Sequence, residues 1–168
     1  MKIFFIISTL SSGGAERNAS IIANYFSRNH EVIILTFQNK SGNFYKINKN
    51  IKILNLQLLQ NSQNFFLKFF NFIKRLYVIN SELRKGKPDV VISFLETTNI
   101  TTLISSFWVS SLKKRIISDR NDPRRSERPI LLSFLKFIFY RFADCLVLQT
   151  NKIKQNYSFL EKKKIVVI

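Results

Sequence analysis

The chain has 168 residues, enough for one domain with a proper core and too few for two ordinary ones. Hydrophobic residues make up 46%, which excludes a disordered tail, and 27 Lys and Arg against 10 acids give a formal charge of +17. Such a surface seeks phosphate, on nucleic acid, on anionic lipid or on a phosphorylated substrate, and the sign alone does not choose among them. The single cysteine, Cys145, sits in an apolar run; it excludes internal disulfides and thiolate metal sites and makes a reducing cytoplasm the natural compartment. The opening MKIFFIIST carries one basic residue and leads into Gly-Gly, not into a small-residue cleavage site, so it reads as a strand and not as a signal peptide. No stretch reaches the ~20 uncharged apolar residues that a membrane span needs.

The pattern alternates strand and helix along the chain. Lys2 to Ile7 is a continuous apolar run, and from Ala15 the period changes to a helical stripe of Ala15, Ala19, Ile22, Ala23 and Phe26. HEVIILTF (His30 to Phe37) and IKILNLQ (Ile51 to Gln57) read as the next two strands, joined by a polar connection. A long helix is expected from about Asn64 to Lys85, then a strand in PDVVISF (Pro88 to Phe94), with proline at its start, where a missing N–H costs little. A helix from Thr98 to Ser110, a strand in KRIISDR (Lys114 to Arg120) and a helix over Pro129 to Ala143 follow. DCLVLQT, a short helix over Asn151 to Phe159 and a last strand in KKIVVI complete the series. Near-continuous Val/Ile/Leu strands separated by helices predict a doubly wound α/β fold on a mostly parallel, Rossmann-like sheet. In such sheets ligands bind beyond the carboxyl ends of the strands. That rule singles out the loops Ser8 to Ala15, Leu95 to Asn99, Ser118 to Arg128 and Thr150 to Lys152.

Gly13 and Gly14 stand where the first strand hands over to the first helix. Two readings are open: a tight turn needing glycine geometry, or a corner where backbone approaches an anion at the helix N-terminus. Glu16 and Arg17 in the first helical turn serve either the site or, through Glu16, the helix dipole. In ETTN, Glu96, Thr97 and Asn99 suit sugar hydroxyls, and Thr97 or Thr98 equally suits a helix cap. Asp119, Arg120, Asn121, Asp122 and Pro123 form either a binding constellation or a capped turn. In the long helix, one stripe of Phe66, Phe69, Phe70, Ile73 and Tyr77 is expected to face the sheet, with Phe65 and Phe72 outside it. Aromatics beside Lys68, Lys74, Arg75, Arg84, Lys85 and Lys87 suit a core helix or an interfacial helix on an anionic bilayer, and LLSFLKFIFYRF carries the same two readings.

Taken in order, GGAER, HEVIILTF, KPDVVISFLETTN, IISDRNDP and ADCLVLQT resemble the N-terminal, acceptor-side domain of GT-B glycosyltransferases of the family-4 type. The bacterial branch acting on lipid-linked oligosaccharides or surface polysaccharides is the nearest likeness. The resemblance covers essentially the whole chain, residues 1–168, as one Rossmann-like domain. It implies a retaining, metal-independent hexosyl transfer from a nucleotide sugar to a lipid-linked or polysaccharide acceptor, with no cofactor. The nucleotide would be gripped by a C-terminal donor-binding domain that this chain lacks, so the chain alone is expected to be inactive. Gly13 and Gly14 would face the donor diphosphate. Glu16, Arg17, Glu96, Thr97, Asn99, Asp119, Arg120 and Asn121 would line the acceptor and sugar side. Arg124, Arg125 and Arg128, whose guanidinium forks suit phosphate, would hold a lipid pyrophosphate. The expected location is the inner face of the cytoplasmic membrane, held peripherally on anionic lipid. One departure concerns a histidine that many relatives carry beside the sugar. The matching position here is Arg120, and the only histidine, His30, starts the second strand far from the site edge. No catalytic residue is assigned.

The alternative is a non-catalytic basic domain for nucleic acid or anionic membrane. A specific nucleic-acid reader should show a recognisable module, and none stands out among the scattered basic residues. A dinucleotide oxidoreductase is excluded by the glycine spacing and by the second strand's end, LTFQNK, which offers no acid for a ribose.

Overall fold

The computed structural model describes residues 1–38, 43–59, 64–119 and 130–168. Seven strands form one wholly parallel sheet: β1 (Lys2–Ile7), β2 (Glu31–Thr36), β3 (Lys52–Asn55), β4 (Val90–Phe94), β5 (Lys114–Asp119), β6 (Cys145–Leu148) and β7 (Ile165–Val167). Their order is β3-β2-β1-β4-β5-β6-β7, so the chain order reverses between β1 and β4. The helices are α1 (Gly14–Phe26), α2 (Phe65–Gly86), α3 (Glu96–Ser105), α4 (Ile130–Phe139) and α5 (Asn151–Lys154).

Side chains alternating along β1 feed two cores. Ile3, Phe5 and Ile7 pack with Ala15, Ala19 and Ala23, whose small size lets α1 lie close on one face. Phe4 and Ile6 pack with Ile79 and Leu83 of α2 on the other. A third cluster joins Ile100 and Leu103 of α3 to Ile117, Leu146, Tyr140 and Tyr157 under the right half of the sheet. Asp89 ties the amino-terminal edge together: it accepts from the Lys2 N–H at 2.9 Å and pairs with Lys113 at 2.8 Å.

The expected α2 stripe is wrong in its direction. Phe66 is 79% exposed and Tyr77 77%, and Phe69, Phe70 and Ile73 are exposed as well. The buried positions are Ile79 and Leu83, with Phe72 half-buried although it was expected off the stripe. Only the C-terminal half of α2 crosses the sheet, so its register and not the richest aromatic run decides which face is covered. Arg75 bridges the halves, its Nε donating to the Leu58 carbonyl at 3.2 Å. The expected threonine cap is also absent: α3 begins at Glu96 after Leu95, with no side-chain cap bond.

α2 ends in an uncommon way. A helix usually stops at a glycine in the left-handed region, but here Lys87 takes it, at φ 47° and ψ 56°, its N–H bonded to Leu83 O at 2.9 Å. Glycine stands one residue earlier because a Cβ on Gly86 would collide with the Phe4 ring. Left-handed backbone costs a non-glycine residue about 1–2 kcal/mol, and glycine forfeits about 0.5–1 kcal/mol of chain entropy. Lys87→Gly is therefore expected to stabilise the fold by roughly 0.5 kcal/mol, read as a higher urea midpoint at unchanged m-value.

Candidate functional site

Because all strands are parallel, the carboxyl ends of β1, β4, β5 and β6 lie along one rim. The β1–α1 loop is anchored from within. Leu10 is buried, its N–H donates to Gln38 Oε1 at 3.0 Å, and its carbonyl accepts from Phe44 N at 2.9 Å. Neither rim glycine lies in the left-handed region, and Gly13 is extended at φ 172° and ψ 159°. The turn therefore does not need glycine for its dihedrals. A Cβ on Gly14 would meet nothing within 4 Å, so this corner opens to the outside. Gly13 is more covered: Glu16 lies where its Cβ would stand, and its N–H donates to Tyr45 Oη at 3.3 Å. Glu16 also accepts from the Thr9 hydroxyl at 3.2 Å, while Arg17 points to solvent.

After β4 the chain turns sharply. Leu95 sits at φ 73° and ψ 144°, a strained conformation for a leucine, held by its N–H to Ser118 O at 3.1 Å and by Asn99 N to its own carbonyl at 2.8 Å. Asn99 is wholly buried: its amide donates to Ser118 O at 3.0 Å and Tyr140 Oη at 3.2 Å, and its oxygen accepts from Ser93 Oγ at 2.8 Å. Thr97 is exposed on the rim.

Asp119 closes β5 as the centre of a buried ionic cluster. Its Oδ2 accepts from Tyr157 Oη at 2.6 Å, Lys136 Nζ at 2.9 Å and Tyr140 Oη at 3.1 Å. Lys136 also reaches Glu96 Oε1 at 3.5 Å and lies over the stacked rings of Tyr157 and Tyr140. Burial pushes the Tyr140 phenol well above its ordinary range, with the negative charge of Asp119 adding to it, so the phenol stays protonated and donates. Asp119 Oδ1 is buried and without a hydrogen-bond partner among the described residues. Asn99 and Asp119 thus direct most of their hydrogen bonds inward. Arg120, Asn121, Arg124, Arg125 and Arg128 lie outside the described residues. His30 is on the opposite edge, its ring stacked on Phe26.

Lys136, Tyr140, Tyr157 and Leu95 were not singled out from the sequence. The signal for Lys136 was there: it is the only charged residue in the ten of α4, ILLSFLKFIF. A membrane or core reading of that helix leaves a lysine at its middle to be explained, and an inward ion pair explains it.

Among the described residues no group of three His, Cys, Asp or Glu side chains is placed to hold a metal ion. No protein-family model matches the chain. The fold and rim define a Rossmann-like half of the GT-B type. The solved sucrose-phosphate synthase of Thermosynechococcus elongatus superposes with a TM-score of 0.75 at 11% identity, over 99% of this chain and 47% of its own. UDP-GlcNAc 2-epimerase from Methanocaldococcus jannaschii superposes with a TM-score of 0.64 at 18% identity, over 100% of this chain and 45% of its own. Sequence goes further than fold. A Campylobacter jejuni GalNAc-α-(1→4)-GalNAc-α-(1→3)-diNAcBac-PP-undecaprenol α-1,4-N-acetyl-D-galactosaminyltransferase is 32% identical over 168 residues, 99% of this chain and 45% of that protein. An uncharacterised glycosyltransferase of Methanocaldococcus jannaschii is 30% identical over 121 residues, 64% of this chain and 30% of that protein. The chain is a glycosyltransferase homologue that spans less than half the length of these relatives.

The buried cluster has a measurable weight. Removing one partner of a buried ion pair strands the other charge and costs about 3–5 kcal/mol. Lys136→Met is expected to lose that much in urea unfolding, and Asp119→Asn placed on top is expected to cost less than it does in the parent chain. A double-mutant cycle should give a coupling of about 1 kcal/mol or more.

Proposed function

We propose that this chain is the acceptor-side lobe of a retaining, metal-independent glycosyltransferase of the family-4 type. It would work with a nucleotide-binding lobe on a lipid-linked or polysaccharide acceptor at an anionic membrane surface. The observation that carries the reading is the open corner at Gly14: glycine is present there without any dihedral need, at the N-terminus of α1, on the rim that also bears Asp119. A helix N-terminus offers free N–H groups and a positive dipole end to a diphosphate. The undecaprenol-linked acceptor in the Campylobacter relative's name supports the lipid side. Gly13 and Gly14 would face the leaving phosphate, Glu16, Arg17 and Thr97 the acceptor, and Arg124, Arg125 and Arg128 the lipid pyrophosphate. Glu96, Asn99 and Asp119 would position that rim from beneath. Arg120 and Asn121 remain candidates beside the sugar.

Gly14→Val tests the corner without disturbing the core, since its Cβ has open space. A change in unfolding free energy under about 1 kcal/mol is expected, with transfer to an undecaprenyl-diphosphate saccharide by the two-lobe enzyme falling at least about 100-fold. Equal transfer by parent and variant would end the diphosphate assignment, and sugar transfer by the 168-residue chain alone would overturn the need for a second lobe.

The membrane side rests on α4, which is inside out. Ile130 is 88% exposed, and Leu131, Phe134 and Phe137 are exposed too, while the one charge, Lys136, is 7% exposed. Phe66, Leu67, Phe69 and Phe70 of α2 are a second exposed apolar run, with Lys68 among them. No helix among the described residues is long and apolar enough to cross a membrane. A surface helix seats its apolar face at the headgroup boundary and gains from anionic lipid. Phe134→Glu together with Phe70→Glu is expected to cut co-sedimentation with phosphatidylglycerol vesicles at least about tenfold at unchanged thermal stability. Duplex DNA should be released by salt at a level where vesicle binding of the parent persists.

A further inference from the structure

The opposite edge of the sheet carries a feature that glycosyl transfer does not use. Between the C-terminal ends of α2 and α3 lies a cavity of about 380 Å3 lined by Arg84, Lys87, Trp108, Val109, Ser110 and Ser111. Its bases differ from their neighbours. Lys85 pairs with Glu82 at 3.2 Å, Lys113 with Asp89 at 2.8 Å and Lys114 with Asp144 at 3.8 Å. Among the described residues Arg84 and Lys87 have no carboxylate within ion-pair distance, and both face the cavity. Lys87 is the residue held in the left-handed region where glycine would be unstrained, so a lysine persists at that point against the backbone's preference. Trp108 is 69% exposed beside them, and Ser111 Oγ is buried without a hydrogen-bond partner among the described residues. The α2 dipole explains about half an elementary charge of basic excess. It does not explain two cations without a carboxylate partner flanking a largely exposed indole, whose edge contact is with Phe107, and an unsatisfied hydroxyl.

We infer that this cavity binds a phosphate ester carried on a planar ring, the chemistry of a mononucleotide. The Arg84 fork and the Lys87 ammonium take the phosphate, the indole stacks the ring, and Ser110 and Ser111 offer hydroxyls. The site sits at the amino ends of the strands, away from the glycine rim, and does not rest on the transfer reading.

Trp108 is the only tryptophan, so its emission reports on this cavity alone. Titrating the chain with uridine or adenosine 5′-monophosphate at low salt is expected to give a saturable change, half-complete at about 1 mM or below. Uridine and ribose 5-phosphate should each bind about tenfold more weakly or worse, because each lacks one half of the ligand. Arg84→Gln and Lys87→Gly should weaken the nucleotide by a similar factor. Lys87→Gly should do so while melting no lower than the parent, which separates ligand loss from unfolding. Gly14→Val should leave the titration unchanged, so failure of the rim assignment and failure of this one are told apart. No saturable change up to about 10 mM, an equal response to uridine alone, or an unaltered Lys87→Gly titration would overturn the site. An emission blue shift on phosphatidylglycerol vesicles without any nucleotide response would assign the patch to lipid and overturn it too.

Discussion

A single buried ammonium organises the right half of this protein. Lys136 meets Asp119 at 2.9 Å, Tyr157 at 2.9 Å and Glu96 at 3.5 Å, which joins α4, the end of β5, the start of α3 and the turn after α5. Replacing such a cluster by apolar residues often stabilises a protein, so its presence is poor evidence of a need for stability. What it does provide is direction. With its one charge turned inward, α4 has no charged side chain to present outward, and Asp119 is fixed at the head of the 120–129 segment that carries the arginines. The surface proposed to meet lipid and the carboxylate at the rim are thereby held by one side chain.

The strands were legible because buried parallel strands are continuous runs of β-branched and aromatic residues, as in IFFII, VIILT and VVISF. Their boundaries moved by a residue or two, and the switch between β1 and β4 follows from right-handed crossovers once the elements are in place. The direction of α2 was not legible. A helix apolar on most of its circumference has no unique stripe, and which residues meet the sheet depends on where it crosses. Ile79 and Leu83 won because Gly86 allows the last turn to lie against Phe4, a contact 82 residues distant in the chain.

The candidate site divides along the same physical line. Residues read from local pattern, the glycine pair and the hydroxyl-bearing ETTN turn, stand on the expected rim. Their partners were invisible because they come from far along the chain: Tyr140 meets Asn99 over 41 positions, and Tyr157 meets Asp119 over 38. The sequence also suggested a reason for ETTN, helix capping, that the backbone does not use. Leu95 enters α3 through a strained φ of 73° instead, so the order of that turn comes from Ser118 and Asn99 on neighbouring elements.

The glycine pair is where the structure separates two explanations that the sequence left open. If the turn required left-handed backbone, a glycine would be needed whatever the protein did, and its presence would carry no functional meaning. Both glycines are free of that requirement, and they then differ from each other. Glu16 leans over Gly13, a negative group already seated at the helix end, whereas Gly14 faces outward with nothing against it. An anion arriving at α1 would displace or sit beside a carboxylate held there by Thr9 at 3.2 Å, a hydrogen bond worth little enough to give way. On the proposed reading, the empty side at Gly14 is the direction from which a second lobe would deliver that anion, and a residue without a side chain leaves that side open.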